Sequence, residues 1–342
     1  MAARDQQRGN TDLRSATSVQ QIVEAQEFSL LPPEEVPAFA RDYPGMLTLD
    51  DKQLYYQCAR DLYRFEGGIV DLGTFVGATT SALIYGMLNN PHFQFRRSAD
   101  CTIHVYDRFS CDWDIMLDGL NWMYPGQYKK GDNFLPAFRD ALGPLLAFLE
   151  IHQGDILESE YRDATGIECL GVDICKSREI TDKVFRTFLP RLIPGAYVIQ
   201  QDMIHPWHPY LHTAIGYFAD RFQLIHENPC GASVLYRLVR PIEERDLPEF
   251  SEVCLHDRGQ WLPLWERAFA QLRTPRARAS MQAAKVLLVG EVHGPARAKG
   301  QAEEAATFPL SELDKDWISE VLAYVHTAFH RDEQIPHIAS PF

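Results

Sequence analysis

Ile69-Val70-Asp71-Leu72-Gly73-Thr74-Phe75-Val76-Gly77 is the stretch that decides the fold: a short apolar strand carrying one acid, then a glycine-bracketed turn running into a helical pattern over 79–88. Glycine permits positive φ and lets a ligand approach the backbone closely. In an open α/β sheet such a turn lies at the carboxyl end of a strand, where ligands bind. The dinucleotide fingerprint is G-x-G-x-x-G with an acid about twenty residues on. Here the spacing is D-x-G-x-x-x-G and the next strand-end acid is Asp107, which disfavours a nicotinamide dinucleotide.

Outward from this turn, residues 68–239 alternate β-rich runs with helical patterns, the signature of βαβ units. Candidate strands lie at 69–72, 102–106, 149–153, 169–172, 196–200, 222–226 and 233–238. The last two are too close for a helical crossover, so they predict an antiparallel hairpin at the sheet edge. The expected fold class is α/β: a doubly wound, mostly parallel seven-stranded sheet with an antiparallel final strand, plus helical N- and C-terminal additions. The expected divisions are a polar and helical lead-in over 1–65, a Rossmann-like domain over 66–240 and a helical accessory segment over 241–342. Within the first, a helix is expected at 19–28 and another at 51–64, capped by Asp50. Within the last, helices are expected near 261–272 and 310–329, with a loose stretch near 294–307 and an apolar run at 286–289 as a candidate strand. The tail is a candidate either for closing a homo-oligomer or for capping the pocket.

The chain has 342 residues, 46% hydrophobic and 23% charged, ordinary for a folded protein. Its net charge of −14 argues against a nucleic-acid partner, which needs a basic face. No run reaches the ~20 apolar residues of a membrane span, and the N-terminal stretch lacks an apolar signal core, so no membrane partner and a cytoplasmic location are expected. The 7 cysteines are scattered with no C-x-x-C pair, pointing to buried or free thiols rather than a disulfide framework or zinc site.

The second strand ends in Asp107-Arg108-Phe109, where an acid is placed to accept both ribose hydroxyls of a nucleotide. The third ends in Gly154-Asp155-Ile156. With the glycine turn, these ends resemble the class I S-adenosylmethionine-dependent methyltransferases. The resemblance implies that Asp71, Gly73, Thr74 and Gly77 serve the amino-acid end of S-adenosylmethionine, Asp107 and Arg108 its ribose region, and Asp155 and Ile156 its adenine. Asp173 is counted with them as a cofactor-binding residue.

The run Leu170-Gly171-Val172-Asp173-Ile174-Cys175-Lys176-Ser177, followed by a helix and a fifth strand ending in Gln201-Asp202, is similar to the macrocin O-methyltransferase type and, more distantly, to catechol O-methyltransferase. The resemblance covers about 68–238 and implies a magnesium ion held by Asp173, Gln201 and Asp202. Gln201 departs from the family's acid. The alternative is that these residues only bind substrate or the methionine ammonium. The loop Met203-Ile204-His205-Pro206-Trp207-His208 follows at once. A histidine can deprotonate a hydroxyl near neutral pH, which makes His205 the first candidate base and His208 the second, with Asp173 a third catalytic candidate. The histidines can equally be loop residues stiffened by prolines. Aromatics of the long 110–145 connection (Trp113, Trp122, Tyr124, Tyr128, Phe134) are candidates for a lid over the acceptor or for core packing.

The expected activity is methyl transfer from S-adenosylmethionine to a hydroxyl of a small molecule, plausible as a sugar or glycosylated natural product. An N-methyltransferase and a non-catalytic partner protein that kept the fold are the alternatives.

Overall fold

The computed structural model describes residues 28–95 and 101–328. Most of the helix expected at 19–28 lies outside them. Seven strands form one sheet: β1 (Gly68–Leu72), β2 (Ile103–Asp107), β3 (Leu149–Gln153), β4 (Ile167–Val172), β5 (Leu192–Gln200), β6 (Phe222–Glu227) and β7 (Val234–Leu238). Their order is β3-β2-β1-β4-β5-β7-β6. The first five are parallel, and β7 runs antiparallel between β5 and β6. This is the doubly wound sheet expected from the sequence. The hairpin is present, with β6 rather than the final strand on the edge.

Strands β1, β2 and β4 are covered on both faces, which is why they read as apolar runs. Alternation divides β1 between two cores. Val70 and Leu72 face one with β4, Val184 and Phe188. Ile69 faces the other with Leu54, Leu83 and Val105. The fifth strand begins four residues before its expected start, because the Pro194-Gly195 step is absorbed as a register irregularity against β4.

Three local expectations are corrected. The N-terminal helix is Leu49–Gln57, capped by Thr48 and not Asp50. Thr48 and Asp51 form a reciprocal capping box that satisfies two open donors, while Asp50 accepts the Cys230 amide at 2.9 Å. Beyond Gln57 the chain continues as a wider turn over Cys58–Leu62. The run 286–289 is helical, inside Pro275–His293, and shows no helical period because it is buried all round. The stretch near 294–307 contains the helix Pro295–Ala305, which buries Ala298, Ala302 and Ala305 along one face. Gly294, at φ 83°, turns the chain between these helices, and proline at the first helical position needs no amide partner.

The tail helices pack on the sheet. Phe250, Trp261, Trp265, Phe269 and Leu288 share a core with Phe185 and Phe188. Arg178, at the start of the Arg178–Phe188 helix, pairs with Glu291 at 2.8 Å and stacks 3.5 Å from the Trp261 ring centroid. Six of the cysteines are buried and Cys230 is exposed. No described helix is long and apolar enough to cross a membrane.

The Pro209–Tyr217 helix meets Arg258–Gln271 so closely at Gly216 that a Cβ there would strike the Leu264 carbonyl. Gly216→Val is expected to separate the two helices and cost about 3 kcal/mol. A fall in the urea midpoint at unchanged m-value would show it; an unchanged midpoint would refute the close packing.

Candidate functional site

The parallel ladder continues one residue past its strands and so sets the strand-end groups in register. The Gly73 amide donates to Tyr106 O at 2.9 Å, Asp173 to Leu72 O at 2.8 Å, Gln201 to Val172 O at 2.9 Å and Gly154 to Asp107 O at 3.1 Å. Gly73, at φ 82°, has no room for a side chain, because a Cβ would run into the Asp173 carbonyl. These ends enclose a cavity of about 220 Å³ outside the carboxyl edge of β1–β4, where ligands of open α/β sheets bind. Gly73, Asp107, Arg108, Asp155, Ile156 and Asp173, all expected from the sequence, line it.

Asp107 organises the near wall. Its Oδ2 accepts the Phe75 amide at 2.9 Å and its Oδ1 the Phe109 amide at 2.6 Å. Both phenylalanines have positive φ, 47° and 53°. Burial pushes the Asp107 carboxyl up to about 6, against the pull of these amides. A carboxylate offers about four acceptor sites, so the backbone amides leave capacity for a ligand hydroxyl. Asp155 Oδ1 accepts the Leu157 amide at 2.9 Å, and Ile156 supplies a buried apolar surface beside it. Arg108 stands at the rim, paired with Asp112 at 3.1 Å. Of the five aromatics in the 110–145 connection, Trp113 lines the cavity and Phe134 is core. Trp122 is 77% exposed.

Asp71 is placed differently. It is fully buried behind the turn, where its Oδ2 accepts the hydroxyls of Thr79 and Thr80 at 2.8 and 2.7 Å. It does not line the cavity. Its role in the structure is to tie β1 to the first turn of the Ala78–Leu88 helix. Gly77 shapes that turn at φ 99°, and the buried Thr74 hydroxyl beside it has no partner.

The far wall does not fit the magnesium site that the resemblance implies. Lys176 Nζ donates to Asp173 Oδ1 at 2.9 Å and also to Asp202 Oδ2. The ammonium stands where a divalent ion would have to sit. Gln201 is turned away: its side chain contacts Ser233, which with Asn228 also bonds Asp51. Its backbone carbonyl accepts from Gln200 Nε2 at 3.3 Å. One buried cation and a diverted amide do not fit magnesium, which wants hard oxygen ligands around itself. Burial would lower the Lys176 pKa, but Asp173 and Asp202 raise it above the usual lysine value. Burial raises Asp173 toward neutrality, opposed by Lys176. Asp202, despite its burial, is held below the carboxylate range by Lys176 and then His208.

The two candidate histidines lie behind Asp202, away from the cavity. His208 is 2% exposed, shares a 2.7 Å hydrogen bond with Tyr210 Oη and has Nε2 3.7 Å from Asp202 Oδ2. His205 stacks on it at 5.0 Å and meets Trp317 of the Glu312–Ala328 helix at 5.5 Å. Burial lowers both pKa values, so both are neutral at pH 7. As bases they are misplaced, because the tail covers the loop that carries them. Of the three catalytic candidates, Asp173 alone lines the cavity. The sequence reading missed Lys176, whose signal was its place three residues after Asp173 and directly before the Ser177 helix cap.

No protein-family profile matches the sequence, and no curated protein matches it by sequence. Solved structures do resemble it in fold. The O-methyltransferase NovP aligns at 19% identity over 60% of this chain and 88% of its own, with a TM-score of 0.42. CalS11, a TDP-rhamnose 3'-O-methyltransferase of calicheamicin biosynthesis, aligns at 15% over 54% and 76%, with a TM-score of 0.39.

Two outcomes follow. Lys176→Met leaves Asp173 and Asp202 face to face without a counter-charge and is expected to cost about 3–5 kcal/mol at pH 7. The loss should shrink as acid protonates the pair; a loss independent of pH would rule out the ionic bridge. For Asp71, burial pushes the carboxyl up to about 6. A carboxyl raised in the native state binds more protons there than in the unfolded chain, so its contribution falls as pH rises from about 4 through 6. Asp71→Asn keeps an oxygen for the two threonines and is expected to gain up to about 3 kcal/mol over wild type above pH 6, with no gain at pH 4. Urea titrations at both pH values measure this, and an equal gain at both would contradict it.

Proposed function

We propose that the protein transfers a methyl group from S-adenosylmethionine to a hydroxyl of a small molecule. The observation that carries this reading is the charge of the cavity. Four acids (Asp107, Asp112, Asp155, Asp173) line it against two bases, Arg108 and Lys176. An excess of negative charge suits a sulfonium cation and repels the diphosphate of a dinucleotide. The residues fit the cofactor: Asp107 keeps hydrogen-bonding capacity for a ribose hydroxyl, and Ile156 offers an apolar wall for a base. Bound there, S-adenosylmethionine supplies an electrophilic methyl carbon.

Methyl transfer is an in-line displacement in which a C–S bond breaks as an O–C bond forms, so the protein has to orient the acceptor and take its proton. Asp173 is positioned for the proton, with a pKa lifted by burial. Lys176 holds Asp173 and keeps the second carboxylate, Asp202, ionised. The acceptor is inferred to be a sugar or glycosylated natural product, which Trp113 on the cavity wall can stack against. No divalent ion enters the reaction.

Calorimetry with S-adenosylhomocysteine, with and without chelator, followed by labelled methyl transfer to hydroxylated acceptors, tests the reading. Expected are saturable binding and turnover unaffected by chelator. Asp173→Asn should lower kcat by about 10²–10⁴ while leaving S-adenosylhomocysteine affinity within a few-fold. Absence of binding would refute the reading; binding without transfer to any acceptor would favour a non-catalytic partner, to which the buried histidines also point.

A further inference from the structure

The β2–β3 edge of the sheet carries a second concentration of ionisable side chains, outside the cavity. His104 of β2 stands opposite Glu150 of β3, and Tyr106 opposite His152. Side chains two apart share a face, so all four project to the same side. β3 is the last strand, which leaves Glu150 and His152 partly open while His104 is 7% exposed. They border a surface concavity of about 400 Å³ closed on its other side by Tyr161 and Asp163.

The donor atoms converge. His104 Nδ1 lies 3.2 Å from His152 Nε2 and 3.5 Å from Glu150 Oε2, and Glu150 Oε1 lies 3.6 Å from His152 Nε2. Zinc–nitrogen bonds of about 2.0–2.1 Å at a tetrahedral angle place two ligand atoms about 3.3–3.4 Å apart. The three separations bracket that edge. The other His104 nitrogen, Nε2, is 3.2 Å from Asp163 Oδ2. A carboxylate on the far nitrogen fixes the tautomer of a metal-binding histidine, turning the lone pair of Nδ1 toward the centre. Tyr106 stacks on the His152 ring at 4.2 Å and 10°, which fixes the second ligand.

We propose that His104, Glu150 and His152 form a binding site for a divalent transition-metal ion of the zinc type, oriented by Asp163, with a fourth position open to the concavity. Two imidazoles and one carboxylate select such an ion over magnesium or calcium. The ion would clamp the edge strand to β2 and to the loop bearing Asp163. It would stiffen the two strands that lead to Asp107 and Asp155. The site is independent of the methyl-transfer reading.

The test uses the full chain, freed of metal by chelation, titrated with Co²⁺ in the visible range and with Zn²⁺ by calorimetry. Expected is one saturable equivalent of Co²⁺ with the ligand-field bands of a four- or five-coordinate ion and no sulfur charge transfer. His104→Gln and His152→Gln should each weaken it by more than about tenfold, and Asp163→Asn by about tenfold through its hold on His104. His208→Gln should leave it intact, which separates this site from the grouping of Asp202, His205 and His208. His152 and Asp163 are partly exposed, so their variants, checked by circular dichroism, remain informative if His104→Gln fails to fold. No saturable binding to wild type, binding unchanged in folded His152→Gln, or binding lost in His208→Gln would each overturn the proposal.

Discussion

The Asp107 carboxylate is the constraint on which the cavity rests. A single buried group accepts the amides that begin the turns after β1 and β2, at Phe75 and Phe109. Both residues are in a left-handed conformation that costs a non-glycine residue of order 1–3 kcal/mol unless its surroundings impose it. A charge-assisted pair of hydrogen bonds supplies that imposition. The carboxylate must stay ionised for this, yet it is almost wholly desolvated, and the compromise is a pKa near 6. The group that would receive a ribose is therefore also the group that shapes the walls around it. Scaffold amides and a ligand therefore compete for the same carboxylate lone pairs.

At the opposite wall the same problem, carboxylates crowded at strand ends, is solved with a lysine. A divalent ion between Asp173 and Asp202 would neutralise both. With both carboxylates ionised, a single ammonium leaves the trio with one net negative charge, and that remainder contributes to the acidic character of the cavity. It also changes what chemistry is open. A metal lowers the pKa of a bound hydroxyl, whereas a lysine held above its ordinary pKa cannot accept a proton. On the proposed reading the acceptor's proton would pass to a carboxylate, and Asp173 is the one that both lines the cavity and is raised by burial.

The sheet is legible because its central strands β1, β2 and β4 are buried on both faces and so appear as apolar runs, and because an acid stands at or just past the ends of β2, β3 and β4. What was hidden depended on distant parts of the chain. Thr48 and Asp50 both have the chemistry of a helix cap, and the Cys230 amide, 180 residues on from Asp50, takes the latter. The run 286–289 loses helical periodicity because its helix is packed between two cores. Gln201 reads as a weakened metal ligand, but Ser233, directly before β7, holds it. The histidine loop looked like an active-site edge until Trp317, more than a hundred residues later, was found against it.

That last contact gives the tail a part in the site. Lys176 sits in a short turn between β4 and the Arg178–Phe188 helix, with Ser177 capping that helix through the Ile180 amide. Two residues beyond the lysine, Arg178 is fastened to Glu291 and Trp261 of the tail. A long flexible side chain loses up to about 2 kcal/mol of rotamer freedom when held in one place, so its anchorage has to be rigid. The tail provides it, locking the helix start on one side while burying the loop of Asp202, His205 and His208 on the other. The helices after β7 thus hold both ends of the Asp173–Lys176–Asp202 bridge in register, and loosening them would open the bridge without altering any of its three residues.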